Sequence, residues 1–439
     1  MKSIKKSIYG AFDSLTSPIL MLFVTPIFLN YLGIEGYAIW VLVSSVIASL
    51  SIFNLGGTLV VTKFISAGDG ESDTGEVFST VFLFQSIVVI SLYVLFLIIA
   101  PIAIKYSSSE NLTLMIDILY VAIPIFFVKQ SEEMLYAFFK GYEQFGHVVN
   151  ISTISKIVFF STQALTAIFT KSVFDVFYGA LVASILLFFL QAIYVKKIHK
   201  NEISFSKANF KTAKALLNFS IWNGLSSMAE MLKSQSDKWL VSGLLGLKVF
   251  GFYSIGVLVF NQLYNIVGSS VYWVFPEVSK GNANNETLAK KYWKLLFYVC
   301  VTSLGISVFL IEFSFLFQLW LGEGVFQGSK YYINTFLLLF PVFTLSIISS
   351  LYLLGLGLVK QGFFVEMISL VAKVVIIWLI IDIFNIAEWV IFFIVFIAIE
   401  FTAYAVIISK KLPIKFAHLA AFFLLQVIIA LSRMQSTGN

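Results

Sequence analysis

Charge is what this sequence has least of. Only 12% of its 439 residues are charged and 59% are hydrophobic, against roughly 25% charged in an ordinary soluble chain. No water-facing surface can be assembled from that composition, so the soluble globular classes are excluded. Arginine is nearly absent: Arg433 stands beside 28 lysines. Bidentate arginine contacts to phosphates or base edges are therefore missing, and nucleic acid is not an expected partner. Cys300 is the only cysteine, which excludes an internal disulfide. The three histidines, His147, His199 and His418, lie far apart. There is no HExxH, no cysteine pair and no glycine loop followed by Lys-Ser or Lys-Thr. Catalytic residues, a metal site and a cofactor are thus not expected, and ATP-driven pumping by this chain alone is disfavoured. Polar loops are too short for a soluble catalytic domain.

What is present is apolar sequence in stretches of about 20 residues, each long enough to cross a hydrocarbon core of roughly 30 Å as a helix. The stretches are continuously apolar rather than alternating, so helices and not barrel strands are expected. Twelve spans are predicted, near residues 11–31, 38–61, 78–104, 112–139, 146–170, 174–195, 215–241, 249–275, 293–320, 331–355, 363–385 and 388–409. A further piece, Phe416 to Leu431, is short for a crossing and precedes a polar tail. The basic start at Lys2, Lys5 and Lys6 resembles a signal peptide, but Asp13, Pro18 and Pro26 follow in a run too long for a cleaved apolar core, and an uncleaved first span is expected.

The net charge of +6 has a topological reading. With a cytoplasmic N-terminus, Lys63, Lys140, Lys280, Lys290, Lys291, Lys360, Lys410, Lys411, Lys415 and the six lysines from Lys196 to Lys214 fall on the inner side, leaving Lys105, Lys171, Lys248 and Lys330 outside. This is the asymmetry of the positive-inside rule for a chain with both N-terminus and end of span twelve in the cytoplasm. The expected location is a bacterial inner membrane.

The basic connection 196–214 lies near the middle of the chain, and motifs recur across it. Leu32-Gly33 and Gly36-Tyr37 correspond to Leu245-Gly246 and Gly251-Phe252; Pro124 pairs with Pro341; Tyr136, Gly141 and Gly146 pair with Tyr352, Gly357 and Gly362. The expected organisation is an N-terminal six-helix bundle (1–195), a linker (196–214), a C-terminal six-helix bundle (215–409) and a tail (410–439). Six spans per half relate the halves by a pseudo-two-fold axis along the membrane normal, with bundles facing a central cavity. The fold class is therefore all-α integral membrane.

Ionisable groups inside spans cost roughly 2.5 kcal/mol upward at a helix centre, and so face protein or water. In span seven Asn223, Ser226, Ser227, Glu230, Lys233, Ser234 and Asp237 form one stripe at steps of three and four. Glu230 and Asp237 are within helical reach of Lys233 and are expected to neutralise it; a structural ion pair that only helps helices pack is the plainer alternative to a cavity lining. Lys129 with Glu132 and Glu133 in span four, and Lys156 in span five with no acid in its own helix, are further candidates, as is Lys373 with Glu366 in span eleven. Asp13 and Glu312, with Glu230 and Asp237, are candidates for gating or coupling, while Asp382 and Glu400 are expected at membrane interfaces.

Pro26, Leu29, Leu32-Gly33, Gly36-Tyr37 and Trp40, then Gly56-Gly57 and Lys63, resemble the opening of the bacterial polysaccharide flippases, the O-antigen and capsule repeat-unit transporters often called Wzx. Length, twelve spans and paired halves extend the resemblance along the chain; a lysine at 63, where these proteins often carry arginine, departs from it. The resemblance implies the fold of the multidrug and toxic-compound extruders. It implies alternating access, coupling to H+ or Na+, and undecaprenyl-diphosphate-linked oligosaccharide as substrate in polysaccharide or lipopolysaccharide biosynthesis, with a polysaccharide polymerase and a chain-length regulator as expected partners. Lys129, Lys156, Lys233 and Lys373 would then meet the diphosphate. The rivals are a drug or cation exporter of the same fold, a lipid-linked peptidoglycan-precursor flippase and, from another class, a membrane polysaccharide polymerase.

Overall fold

A computed structural model describes residues 2–51, 57–58, 61–62, 65, 74–106, 110–142, 144–198, 210–279, 284–380 and 392–437. These residues are helical almost throughout, with no strand among them. Six long helices come first: α1 (Lys2–Tyr31), α2 (Gly33–Leu50), α3 (Thr74–Tyr106), α4 (Glu110–Gly141), α5 (Phe145–Thr170) and α6 (Val173–Ile198). Then follow α7 (Phe210–Leu245), α8 (Leu247–Val271), the short α9 (Val274–Ser279), α10 (Asn285–Glu312), the short α11 (Phe315–Leu321), α12 (Glu323–Gly355), α13 (Val359–Ile380), α14 (Phe392–Lys411) and α15 (Phe416–Thr437).

The described parts of all twelve expected spans are helical, and among the described residues eight of these helices are long and apolar enough to cross a membrane. The chain is an all-α, multi-pass membrane protein. Exposed Ile87, Ile90, Val94 and Ile98 on α3 have no soluble explanation and face lipid. The C-terminal piece differs from expectation. Its helix does not stop at Leu431 but continues through Ser432 and Arg433 to Thr437, giving 22 residues, or about 33 Å at 1.5 Å per residue. Phe401 and Phe423 stack at 5.2 Å, so α15 packs on α14.

The chain forms two compact units, residues 1–228 and 229–439, the division falling inside α7. The central linker lies largely outside the described residues, since α6 ends at Ile198 and α7 begins at Phe210. Within the first unit α4 packs on α2, α3, α5 and α6. Within the second, α12 packs on α8, α10, α13 and α14. The two central helices thus share four long-helix neighbours in the same chain order, the arrangement expected of a duplicated sequence, and α12 packs in addition on α9, α11 and α15.

Side chains fix the register of that duplication. Phe78 and Phe138 meet edge-on at 5.6 Å and 78°; Tyr292 and Tyr352, each 214 residues later, meet at 4.9 Å and 78°. A Cβ on Gly141 would be driven into Ile65, and one on Gly355 would come within 2.6 Å of the Val278 Cβ. Both glycines let a short segment press against the end of a central helix. Gly141 is therefore matched by Gly355, not by Gly357 as the sequence motif suggested, and Pro124 and Pro341 fall three residues out of register. Gly33 and Gly246 are matched as expected: φ of 73° and 82° lets one helix follow another with a single residue between them.

Candidate functional site

The site is an ionic network inside the second unit, built from α7, α8, α13 and α14. Asp237, Lys373 and Glu400 are only 5%, 6% and 7% exposed. Charges this deep persist only when paired and hydrogen-bonded, and each of them is. Lys373 Nζ donates to Asp237 Oδ1 at 2.7 Å, and Tyr253 OH donates to Oδ2 at 2.6 Å, which satisfies both oxygens of the carboxylate. The same ammonium donates to the Lys233 backbone carbonyl at 2.6 Å, tying α13 to α7.

One turn back along α7, Lys233 Nζ lies between two carboxylates. It donates to Glu400 Oε2 at 3.0 Å and is ion-paired with Glu366, whose other oxygen accepts from Tyr404 OH at 2.8 Å. Lys233 and Lys373 thus contact three carboxylates, Lys238 adds a further positive charge that acts on Asp237, and Glu230 lies exposed one turn further along α7. Asp237 is compensated by Lys373 and Lys238, whereas around Lys233 one ammonium meets two carboxylates, Glu366 and Glu400, and an unbalanced buried carboxylate is costly. The triad is suited to holding a proton or a small cation, or to exchanging one carboxylate for another anion at Lys233.

This arrangement differs from the pairing expected within one helix. Lys233 and Asp237 share a stripe but point at different neighbours, so each takes its counter-charge from another helix, where the groups can approach head-on. Glu400 is not interfacial. It sits nine residues into the 20-residue α14, buried against Lys233. Its place near the centre of an apolar run was the signal that could have revealed it; Tyr253 and Tyr404 left no such signal.

The first unit holds a smaller cluster. Lys129 Nζ is 2.9 Å from Glu132 Oε2 and donates to Ser155 Oγ at 3.2 Å; Ser155 donates to the same carboxylate oxygen at 3.1 Å. Lys129 also rests 4.6 Å over the Phe159 ring. At the separation of 214 residues Phe159 is matched by Lys373 and Ser152 by Glu366, so duplication supplied the scaffold and only the second half carries the larger network. Lys156 is half-buried on α5 and Glu133 is exposed, while Glu312 is exposed at the end of α10. Asp13 and Asn223 lie on α1 and α7 with side chains outside the described set, and Asp382 falls outside the described residues altogether. No group of three or more acidic, histidine or cysteine side chains among the described residues is arranged to hold a metal ion.

A family model described as polysaccharide biosynthesis protein matches residues 31–323. The chain belongs to this family. A candidate O-antigen transporter of Shigella flexneri is 25% identical over 355 residues, covering 76% of this chain and 79% of that protein. Among solved structures, the lipid II flippase MurJ in an inward closed conformation superposes with a TM-score of 0.66 at 18% identity, over 98% of this chain and 96% of its own. The eukaryotic MATE transporter AtDTX14 gives 0.66 at 18%, over 97% and 98%. These two establish the fold that this member of the polysaccharide biosynthesis family shares.

Proposed function

We propose that this protein flips undecaprenyl-diphosphate-linked oligosaccharide repeat units from the cytoplasmic to the outer leaflet of the inner membrane by alternating access, drawing on an H+ or Na+ gradient. The family match over residues 31–323 carries the reading. It is a membrane transporter of that family rather than an enzyme, and both the O-antigen transporter name of one relative and the lipid II flippase name of a structural neighbour agree with a lipid-linked cargo.

The ionic network supports a specific mode of coupling. Lys129, Lys233 and Lys373 are the cations a diphosphate would meet, but each is held by a carboxylate. A proton on Glu366 or Glu400 frees part of the Lys233 charge for an anionic head group, and loss of that proton restores the ion pair and ejects the anion. Lysine suits this exchange better than arginine, because a point charge on a flexible stem changes partners without losing a bidentate geometry. The proposed topology places both the N-terminus and the end of α14 in the cytoplasm, and a polymerase and a chain-length regulator would act on the flipped product at the outer leaflet.

The test is deletion of the gene followed by complementation. Loss of surface polysaccharide, with undecaprenyl-linked repeat units accumulating inside and incomplete rescue by Lys233→Ala or Lys156→Ala, is the expected result. The surplus carboxylate in the network favours a second reading, an exporter of organic cations. Normal surface glycan with increased drug sensitivity would establish that reading instead.

A further inference from the structure

A cleft of about 470 Å³ lies between the beginnings of α4 and α6, lined by Leu114, Asp117, Tyr120, Val121 and Phe174. That volume falls in the range of roughly 300–1,000 Å³ usual for small-molecule sites. Leu114, Asp117, Tyr120 and Val121 recur at helical spacing and form one face of α4, and Phe174 opposes them from the first turn of α6. Asp117 is exposed and has no ionic or hydrogen-bond partner among the described residues. It lies inside the apolar stretch Thr113–Gly141. A carboxylate facing lipid carries a penalty that rises to about 2.5 kcal/mol or more at a helix centre, so the cleft is a place for water or a polar ligand.

The aromatic wall is held in place. Tyr120 meets Phe96 edge-on at 5.1 Å, Phe96 stacks on Tyr93 at 6.4 Å, and Tyr93 OH donates to the Tyr120 carbonyl at 3.1 Å. A ring fixed in this way offers a flat apolar platform, and an unpaired carboxylate beside it offers two acceptor oxygens. Pyranose rings present the matching pair of surfaces, an apolar C–H face and adjacent hydroxyl donors. A diphosphate would be repelled by Asp117, so the cleft does not take that end of the cargo.

We propose that this cleft binds a neutral sugar ring of the transported glycan, the Asp117 carboxylate accepting from its hydroxyls while Tyr120 and Phe174 pack on its faces. The proposal rests on the flippase reading and places sugar recognition on α4, apart from the ionic network. In the proposed topology this end of α4 is the outer one, so the site acts on the sugar as it leaves.

The test uses the full-length protein in nanodiscs and, as probe, the oligosaccharide released by mild acid from the lipid-linked glycan that a deletion strain accumulates. Saturation-transfer NMR should show binding to the wild type. Asp117→Asn, nearly isosteric, and Tyr120→Leu should each weaken it about tenfold or more, which corresponds to about 1.4 kcal/mol, with the thermal midpoint unchanged for Asp117→Asn. Variants that bind the glycan within twofold of wild type overturn the cleft and leave the flippase reading standing. A wild type that binds no glycan but binds tetraphenylphosphonium through Asp117 overturns both.

Discussion

Removing the Lys373 ammonium isolates a buried charge, and the consequence can be worked from the structure. In Lys373→Met, Asp237 at 5% exposure keeps the Tyr253 hydroxyl as its hydrogen-bond donor and only the more distant charge of Lys238, while the Lys233 carbonyl keeps the bond from Ser236 but loses the one from Lys373. Breaking one side of a buried pair costs about 3–5 kcal/mol, most of it the uncompensated charge. The double variant Asp237→Asn/Lys373→Met removes both charges while an amide still accepts from Tyr253, so it should recover much of the loss, with a coupling energy of about 2 kcal/mol or more. The assay is unfolding in mixed micelles with increasing dodecyl sulfate, followed by the fluorescence of the eight tryptophans. Lys291→Ala is the control, because its ion pair with Glu277 is partly exposed, and such pairs contribute about 0–1 kcal/mol. A Lys373→Met protein within about 1 kcal/mol of wild type, or a double variant no more stable than the worse single one, would refute the reasoning.

The Gly355→Ala variant should lose about 1–3 kcal/mol in the same assay, since its Cβ would lie 2.6 Å from the Val278 Cβ and 3.3 Å from the Phe275 carbonyl; Gly305→Ala, with nothing within 4 Å, should not lose stability. Trp40→Phe removes the 3.0 Å bond from the indole to Gln163, a residue only 1% exposed, and should cost about 1–3 kcal/mol. Adding Gln163→Leu should return part of that stability, as read by thermal unfolding. In complementation of a deletion strain, Lys233→Arg should restore more surface polysaccharide than Lys233→Ala, because the charge between Glu366 and Glu400 is kept. Equal rescue by the two would separate transport from that charge.

The legible part of the site was the stripe on α7. Spacing alone shows that Glu230, Lys233 and Asp237 share a face, and the energy of a charge in lipid says that this face is not outward. Which partner each charge takes was not legible, because pairing depends on which helices pack beside α7. The sequence offered Lys233 a carboxylate four residues away, and the fold offered it two from α13 and α14 in better geometry. The repeat was likewise half legible. Gly33 and Gly246 were matched by sequence, but Gly141 was assigned to Gly357 because a shared Gly-to-Gly interval carries no information on which glycine is pressed against a neighbour.

Composition by itself determined that this is a helical, multi-pass membrane protein of some twelve spans in repeated halves, since apolar length, lysine placement and the cost of unpaired backbone in lipid are local or additive quantities. The tertiary structure decided which buried charges neutralise one another, where the surplus carboxylate lies, and that Tyr253 and Tyr404 complete the network. It also decided that an unpaired Asp117 stands beside a fixed aromatic wall. Those are properties of distances between helices far apart in the chain, and no periodicity along one helix encodes them.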